Sequence, residues 1–186
     1  MNQRRSFLKS SVVWASALGV PAFAKAADAA AAAAAVAGPN ERTLRLYNTH
    51  TGESLRSIFW AEGQFIPDAL QDINKLLRDH RNNKIAPVDP QLLLLLDKVS
   101  AQFGSQHVLH IISGYRSPET NAKLHASSNG VAKHSLHMDG KAIDVRIPGK
   151  DLAHLRRAAL AVRGGGVGYY PESQFVHLDT GRVRSW

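Results

Sequence analysis

From Thr43 to Tyr47 the run TLRLY alternates apolar and polar positions, and SLRSIFW from Ser54 to Trp60 follows across the turn-prone NTHTGE. Two such runs predict an antiparallel hairpin. Pro67 and Asp68 open DALQDINKLLRDHR, in which Leu70, Ile73, Leu76 and Leu77 recur at helical spacing. Pro90 opens a second helix through QLLLLLDKVSAQF, apolar enough to be the central buried one, which stops near Gly104. The run HVLHIISG reads as a buried strand with His107 and His110 on opposite faces, both structural. Ser117 caps and Pro118 starts a helix over PETNAKLHAS. There follow a strand KAIDVRI, a helix DLAHLRRAALAV, a Gly-rich turn RGGGVGYYP and a last strand FVHLDTG, with no internal repeat. Helices and strands interleave without the regular alternation of a doubly wound sheet. The pattern predicts an α+β domain with a small, mostly antiparallel sheet flanked by helices.

Composition narrows the chemistry. With 186 residues, 44% hydrophobic and 20% charged, the chain reads as one globular domain. Cysteine is absent, so any metal is held by nitrogen and oxygen, which excludes zinc fingers and thiol chemistry. The first 24 residues combine Arg4, Arg5 and Lys9, an apolar stretch from Val12 to Val20 too short to span a bilayer, and a small-x-small site ending at Ala24. They read as an export signal, and the arginine pair followed by Ser6, Phe7, Leu8 and Lys9 resembles the twin-arginine type. Residues 25–40 form an alanine-rich linker with no face to bury, leaving 41–186 as the folded domain. The expected location is the periplasm or cell envelope, with no stable membrane insertion once the signal is cleaved. The net charge of +8 shrinks once the signal is removed, to 20 basic against 15 acidic residues, with no dense Lys/Arg run. Such a surplus attracts anionic polymers only weakly, and export argues against nucleic acid as the partner.

Two alternating segments carry the candidate chemistry. In the strand after Gly140, Ala142, Asp144 and Arg146 share one face and Ile143, Val145 and Ile147 the other. A carboxylate emerging from a core strand must meet a cation or several donors. His137 lies seven positions earlier across Gly140, whose missing side chain lets the backbone turn sharply and bring the imidazole back over the strand. In the last strand Phe175, His177 and Asp179 share a face, opposite Val176 and Leu178. If the two strands are neighbours, His177 joins His137 and Asp144. Two imidazoles and a carboxylate make an open three-ligand set that suits zinc and also iron(II). On spacing alone, satisfied structural histidines fit equally well. A metal in an open set lowers the pKa of its water from about 15.7 toward 7 and polarises a carbonyl, as amide hydrolysis requires. Arg116, in ISGYRSPETN, is delivered to the lip of such a site, where its guanidinium can clamp a substrate carboxylate or steady an oxyanion. The alternative is an arginine that pins the next helix through a surface ion pair. Tyr115 and Ser135 offer further donors to substrate. Gly164, Gly165 and Gly166 follow a helix rather than precede one, the wrong order for a phosphate loop.

SLHMDGKAID, residues 135–144, matches the S-x-H-x-x-G-x-A-x-D signature of the zinc peptidases of peptidoglycan. The region from Arg42 to Trp186 resembles the murein endopeptidase K family, in HTGE, NKLLRDHRNNK, ISGYRSPETN, GVGYYP and FVHLDTG. That resemblance implies the hedgehog and D-Ala-D-Ala-peptidase type of fold and one Zn2+ held by His137, Asp144 and His177. It also implies a metallopeptidase that cuts peptidoglycan stem-peptide cross-links during wall remodelling. Many relatives place an acidic residue or histidine two or three positions before the last ligand as general base, where this chain has Phe175 and Gln174. The acid–base candidates are then Asp179, Glu172 and His134, with Asp179 alternatively orienting His177. Rival expectations are a D,D- or L,D-carboxypeptidase of the same fold, or a zinc-stabilised wall-binding module without catalysis, which Gln174 favours.

Overall fold

The two alternating segments at the start of the domain form strands β1 (Glu41–Asn48) and β2 (Ser54–Ala61), paired antiparallel as their pattern predicts. The computed structural model describes residues 40–104, 107–127 and 131–186. The expected signal, and the linker as far as residue 39, lie outside the described residues. After β2 come β3 (Gln64–Phe65), α1 (Pro67–Leu76), α2 (Pro90–Ala101), β4 (Leu109–Ser113), α3 (Pro118–Ser127), a 3-10 turn (Leu136–Asp139), β5 (Ala142–Arg146), α4 (Leu152–Val162), β6 (Gly166–Tyr170), β7 (Phe175–Asp179) and β8 (Arg184–Ser185). Among the described residues no helix is long and apolar enough to cross a membrane.

The α+β class holds, and five of the seven strand pairs are antiparallel, but the sheet is larger than expected and mixed. One eight-stranded mixed sheet runs in the order β3-β2-β1-β4-β5-β7-β6-β8. The β1–β4 and β6–β8 pairs are parallel. Parallel pairing joins segments far apart in the chain, so no local turn signal announces it. Of the Gly-rich segment read as a turn, residues 163–165 do turn after α4, but Gly166–Tyr170 form β6, which pairs with β7 from Val167 to Tyr170. Gly166 and Gly168 erase the alternation that marks a half-buried strand. The HVLHIISG strand begins only at Leu109, with His107 preceding it. The first helix also stops earlier than its apolar spacing suggests. Asp79 is buried and its carboxylate accepts the N–H groups of Arg81 (3.0 Å) and Ser117 (2.9 Å). An aspartate that bonds nearby backbone donors competes with helix continuation.

Burial follows the period-2 pattern. Ile143, Val145, Val176 and Leu178 face the core and are completely excluded from solvent. The buried face of α2, Leu92, Leu93, Leu95, Leu96 and Val99, joins the same cluster. Each such side chain contributes about 1.5–3 kcal/mol relative to leaving it exposed, which locks the register of β5 and β7 and sends Asp144 and His177 to the opposite face. Asp89 ties this scaffold to the turn before β5. Its carboxylate caps α2 through Gln91 N–H at 2.9 Å and accepts the Thr180 hydroxyl at 2.7 Å, while its own N–H donates to the Gly140 carbonyl at 2.9 Å.

Candidate metal centre and active-site cleft

The neighbouring strands expected from the sequence are present, and Asp144 lies directly opposite His177 in the β5–β7 register. His137 arrives from the 3-10 turn, which Gly140 ends in the left-handed conformation (φ 65°). A Cβ at that position would run into the Pro87 carbonyl, so glycine alone permits both the turn and the close approach. One nitrogen or oxygen from each of His137, Asp144 and His177 lies within 4.8 Å of the others. His137 and Asp144 are buried, and the His177 side chain is nearly so.

Hydrogen bonds fix which atoms converge. His137 Nδ1 is 2.8 Å from the Gly114 carbonyl, an acceptor only, so Nδ1 carries the proton and Nε2 is left with a lone pair. His177 Nε2 is 3.1 Å from Asp179 Oδ2, a partner that keeps a proton on Nε2 when Nδ1 gives up its own to a metal. That leaves His177 Nδ1 facing Asp144 Oδ1 at 2.9 Å and His137 Nε2 at 3.3 Å, with His137 Nε2 and Asp144 Oδ1 3.4 Å apart. Three electron pairs thus point at one buried spot. They repel unless a positive charge sits among them, either a proton on His177 or a metal ion. This donor set fits a divalent metal with nitrogen and oxygen preference.

The electrostatics agree. Burial alone raises the Asp144 pKa, but His137 and His177 outweigh it and hold the carboxyl well below the usual range. Burial likewise lowers the His177 pKa, yet bonds to Asp144 and Asp179 push it above the ordinary imidazole value. Asp179 is fully buried behind His177. Against burial, which raises its pKa, His177, Arg184 and the Gly181 and Gly166 N–H groups hold it well below the usual carboxylate value. Arg184 forks onto both its oxygens at 3.0 and 2.7 Å.

The trio opens into a cleft of about 240 Å³. Arg116, His134 and Ser135 line it, together with Tyr170, Phe175, Arg184 and Trp186. The Arg116 backbone N–H donates to the His137 carbonyl at 3.1 Å, and its guanidinium donates to Asn121 Oδ1 at 3.3 Å. Its buried Nε has no partner among the described residues. Burial lowers the Arg116 pKa, with Asp144 opposing the shift. Ser135 Oγ accepts the His137 N–H at 3.4 Å. Among the described residues lining the cleft, Tyr115 and Glu172 are not found, and Glu172 is exposed in the turn before β7. Sequence reasoning missed Arg184, Trp186 and Tyr170, which sit in or beside the two segments whose strand character was hidden. It also missed the Gly114 carbonyl, which side-chain patterns cannot reveal.

A family profile described as "Peptidoglycan L,D-endopeptidase MepK" matches residues 36–186. The chain belongs to the peptidoglycan L,D-endopeptidase MepK family. The MepK of Escherichia coli (strain K12), a peptidoglycan L,D-endopeptidase, is 45% identical over 170 residues, 91% of this chain and 93% of the relative. The probable peptidoglycan L,D-endopeptidase MepK of Haemophilus influenzae is 42% identical over 154 residues, 82% of this chain and 83% of the relative. No solved structure matches the chain significantly. The MepK-family match spans every residue of the trio and of the cleft, so the family relationship includes the site and not only the scaffold.

Proposed function

We propose that this chain is an exported, zinc-dependent endopeptidase that hydrolyses L,D-peptide cross-links of peptidoglycan in the periplasm. The observation that carries this reading is the convergence of one nitrogen or oxygen each from His137, Asp144 and His177 at the floor of an open cleft. Membership of the MepK family, whose named members act on this bond class, supplies the substrate.

The three residues would hold one zinc ion, which when bound activates water and polarises a carbonyl. The protein's own groups prepare that chemistry. The Gly114 carbonyl and Asp179 keep both imidazoles in the tautomer that presents a lone pair to the centre. Asp179 already accepts from His177, from two Arg184 nitrogens and from two backbone N–H groups. It is therefore an orienting group rather than the acceptor of a substrate proton. Of the three acid–base candidates, His134 is the one that lines the cleft. Arg116 presents a buried, unmet N–H, a donor that costs about 1–3 kcal/mol to leave unpaired. A substrate carboxylate or the developing oxyanion meets that need, which gives Arg116 a share in positioning and in charge stabilisation. Ser135 offers its hydroxyl proton from the same side. Tyr115 lies outside the cleft lining and enters this reading only through its backbone, whose N–H fastens the loop to the Leu77 carbonyl.

The test is digestion of purified, cross-linked murein with mass analysis of the products, with and without a chelator. The reading expects dimeric fragments to open into monomers, with loss of that activity on chelation and recovery with zinc. Release of single terminal residues would assign a carboxypeptidase instead. Absence of any soluble fragment would assign a binding module.

A further inference from the structure

The motif GVGYYP and the segment GRVRSW enter the chemistry above only through the Gly166, Gly181 and Arg184 donors to Asp179, yet they build one side of the cleft. Gly168 lies opposite His177 in the β6–β7 register. A Cβ at position 168 would stand 2.8 Å from the rings of both Trp186 and Tyr170, so the indole is seated where a larger residue would displace it. The Trp186 ring centroid lies 5.3 Å from that of His177. Its Nε1–H donates to Tyr170 Oη at 2.7 Å, and the Tyr170 ring stacks on Phe175 with centroids 4.6 Å apart. The main chain pins the indole as well. Trp186 N–H donates to the Val167 carbonyl, and its own carbonyl accepts Tyr169 N–H. The Arg184 guanidinium lies 4.7 Å from the indole centroid while it forks onto Asp179. The carboxylate that orients His177 therefore also anchors the support of this ring.

Anchored from several sides, Trp186 nevertheless leaves 47% of its surface exposed, in the same cleft as the metal trio and Arg116. A rigid aromatic surface left open beside reacting groups suits a ligand, because the ordering entropy has already been met by the fold. Tyr170 Oη accepts from the indole, so its own proton is free to donate. The cleft asks for a ligand that brings a carboxylate for Arg116, a hydrocarbon surface for the rings and a carbonyl for the tyrosine. A stem peptide has all three; a disaccharide of N-acetylglucosamine has acetamido carbonyls but no carboxylate and no run of amides.

We propose that Trp186, Tyr170 and Phe175 form a substrate-binding wall. It packs the aliphatic part of a peptide cross-link, while the Tyr170 hydroxyl donates to one of the cross-link's carbonyls. This rests on the endopeptidase reading and specifies how its substrate is held.

The test uses the full chain carrying Trp14→Phe and Trp60→Phe, so that Trp186 is the sole indole emitter. Metal-free protein is titrated with a purified L,D-cross-linked muropeptide dimer and, in parallel, with a disaccharide of N-acetylglucosamine, which carries no carboxylate. The wall predicts a saturable change in Trp186 emission with the dimer and none with the disaccharide. In the zinc-loaded protein, Tyr170→Phe raises KM about fivefold, the scale of one hydrogen bond, and Trp186→Phe raises it further. The tyrosine variant keeps the ring and its stacking on Phe175 but removes both the hydroxyl's bond to substrate and its bond to the Trp186 Nε1–H, so it reads the hydroxyl's whole share in the wall. Silence of Trp186 at dimer concentrations that equilibrium dialysis shows to be saturating overturns the wall. So does a response to the disaccharide, or an unchanged KM in both variants. If those failures occur while the dimer is still cleaved, the endopeptidase reading stands and the wall alone falls. If the unmodified chain neither binds nor cleaves the dimer, both fall together.

Discussion

Two histidine pairs in this molecule meet at close range and have opposite electrostatic character. His50 and His80 stack face to face, with centroids 3.8 Å apart and planes 10° from parallel. Their in-plane lone pairs run side by side rather than converging. Burial, the neighbouring His50 and Arg81 together push the His80 pKa down to about 4, with Asp79 opposing. His137 and His177 meet edgewise, at 5.1 Å and 63°, so that nitrogen faces nitrogen. Asp144 lies between them and Asp179 stands behind. Burial penalises the protonated form in both pairs, but only the second has carboxylates to reverse the sign. Proximity of imidazoles is therefore not what makes a cation site. Convergent lone pairs with an adjacent buried anion are.

The sharpest way to break this contrast is to remove the anion. Asp144→Asn is expected to take the chain from one bound zinc to almost none and to reduce murein cleavage to background, read by metal analysis and product masses on the same preparation. Retained metal in that variant would place the site elsewhere. Arg116→Ala separates chemistry from metal. It should keep the zinc and lose about 10²–10³ in kcat/KM, as removal of a charge-stabilising donor does. Asp179→Asn keeps the three ligands but weakens the hold on His177 Nε2–H, so zinc affinity should fall about 10–100-fold in competition with a chromophoric chelator.

Acid should sharpen the comparison further, because the two pairs respond differently. Zinc must displace the proton that the raised pKa of His177 favours. Its affinity should decline as pH falls through that raised value, by about tenfold per pH unit for one competing proton. His80 acts on folding instead. Its unfolded form takes up a proton near pH 6.5, whereas the folded form resists until about 4. Stability is unaffected above the upper value, falls between the two and levels off below. Because the ring is half-exposed, the loss is only about 1 kcal/mol after screening. His80→Gln should remove that part of the pH dependence in urea melts, leaving the zinc affinity unchanged.

The shared face of Asp144 and His177 was legible because two independent periodicities pointed to it, whereas their reading as metal ligands with His137 came from the resemblance of SLHMDGKAID to the zinc peptidases. In both AIDVR and FVHLD the apolar alternation assigns the core face, and the remaining face must carry Asp144 and His177. Gly140 marked the turn that returns His137. Arg116 and Ser135 were legible as neighbours of these motifs. What stayed hidden lacks such a signal. β6 begins in a run of glycines that has no side chains to alternate, and β8 is two residues long. The fork from Arg184 to Asp179 and the seat of Trp186 on Gly168 depend on that pairing, so both disappeared with it. Tyr115 stands next to Arg116 in the chain, yet the cleft receives only the arginine. The β1–β4 parallel pair joins segments more than sixty residues apart, beyond the reach of any local pattern.

The most direct measurement is the location of zinc in the loaded protein by anomalous X-ray diffraction at the zinc edge. The account predicts one ion per chain, bound by His137 Nε2, His177 Nδ1 and an Asp144 oxygen at about 2.0–2.2 Å, with a further position open to the cleft. Zinc found at the stacked His50 and His80, or a trio left unmetallated while the protein still cleaves murein, would contradict it.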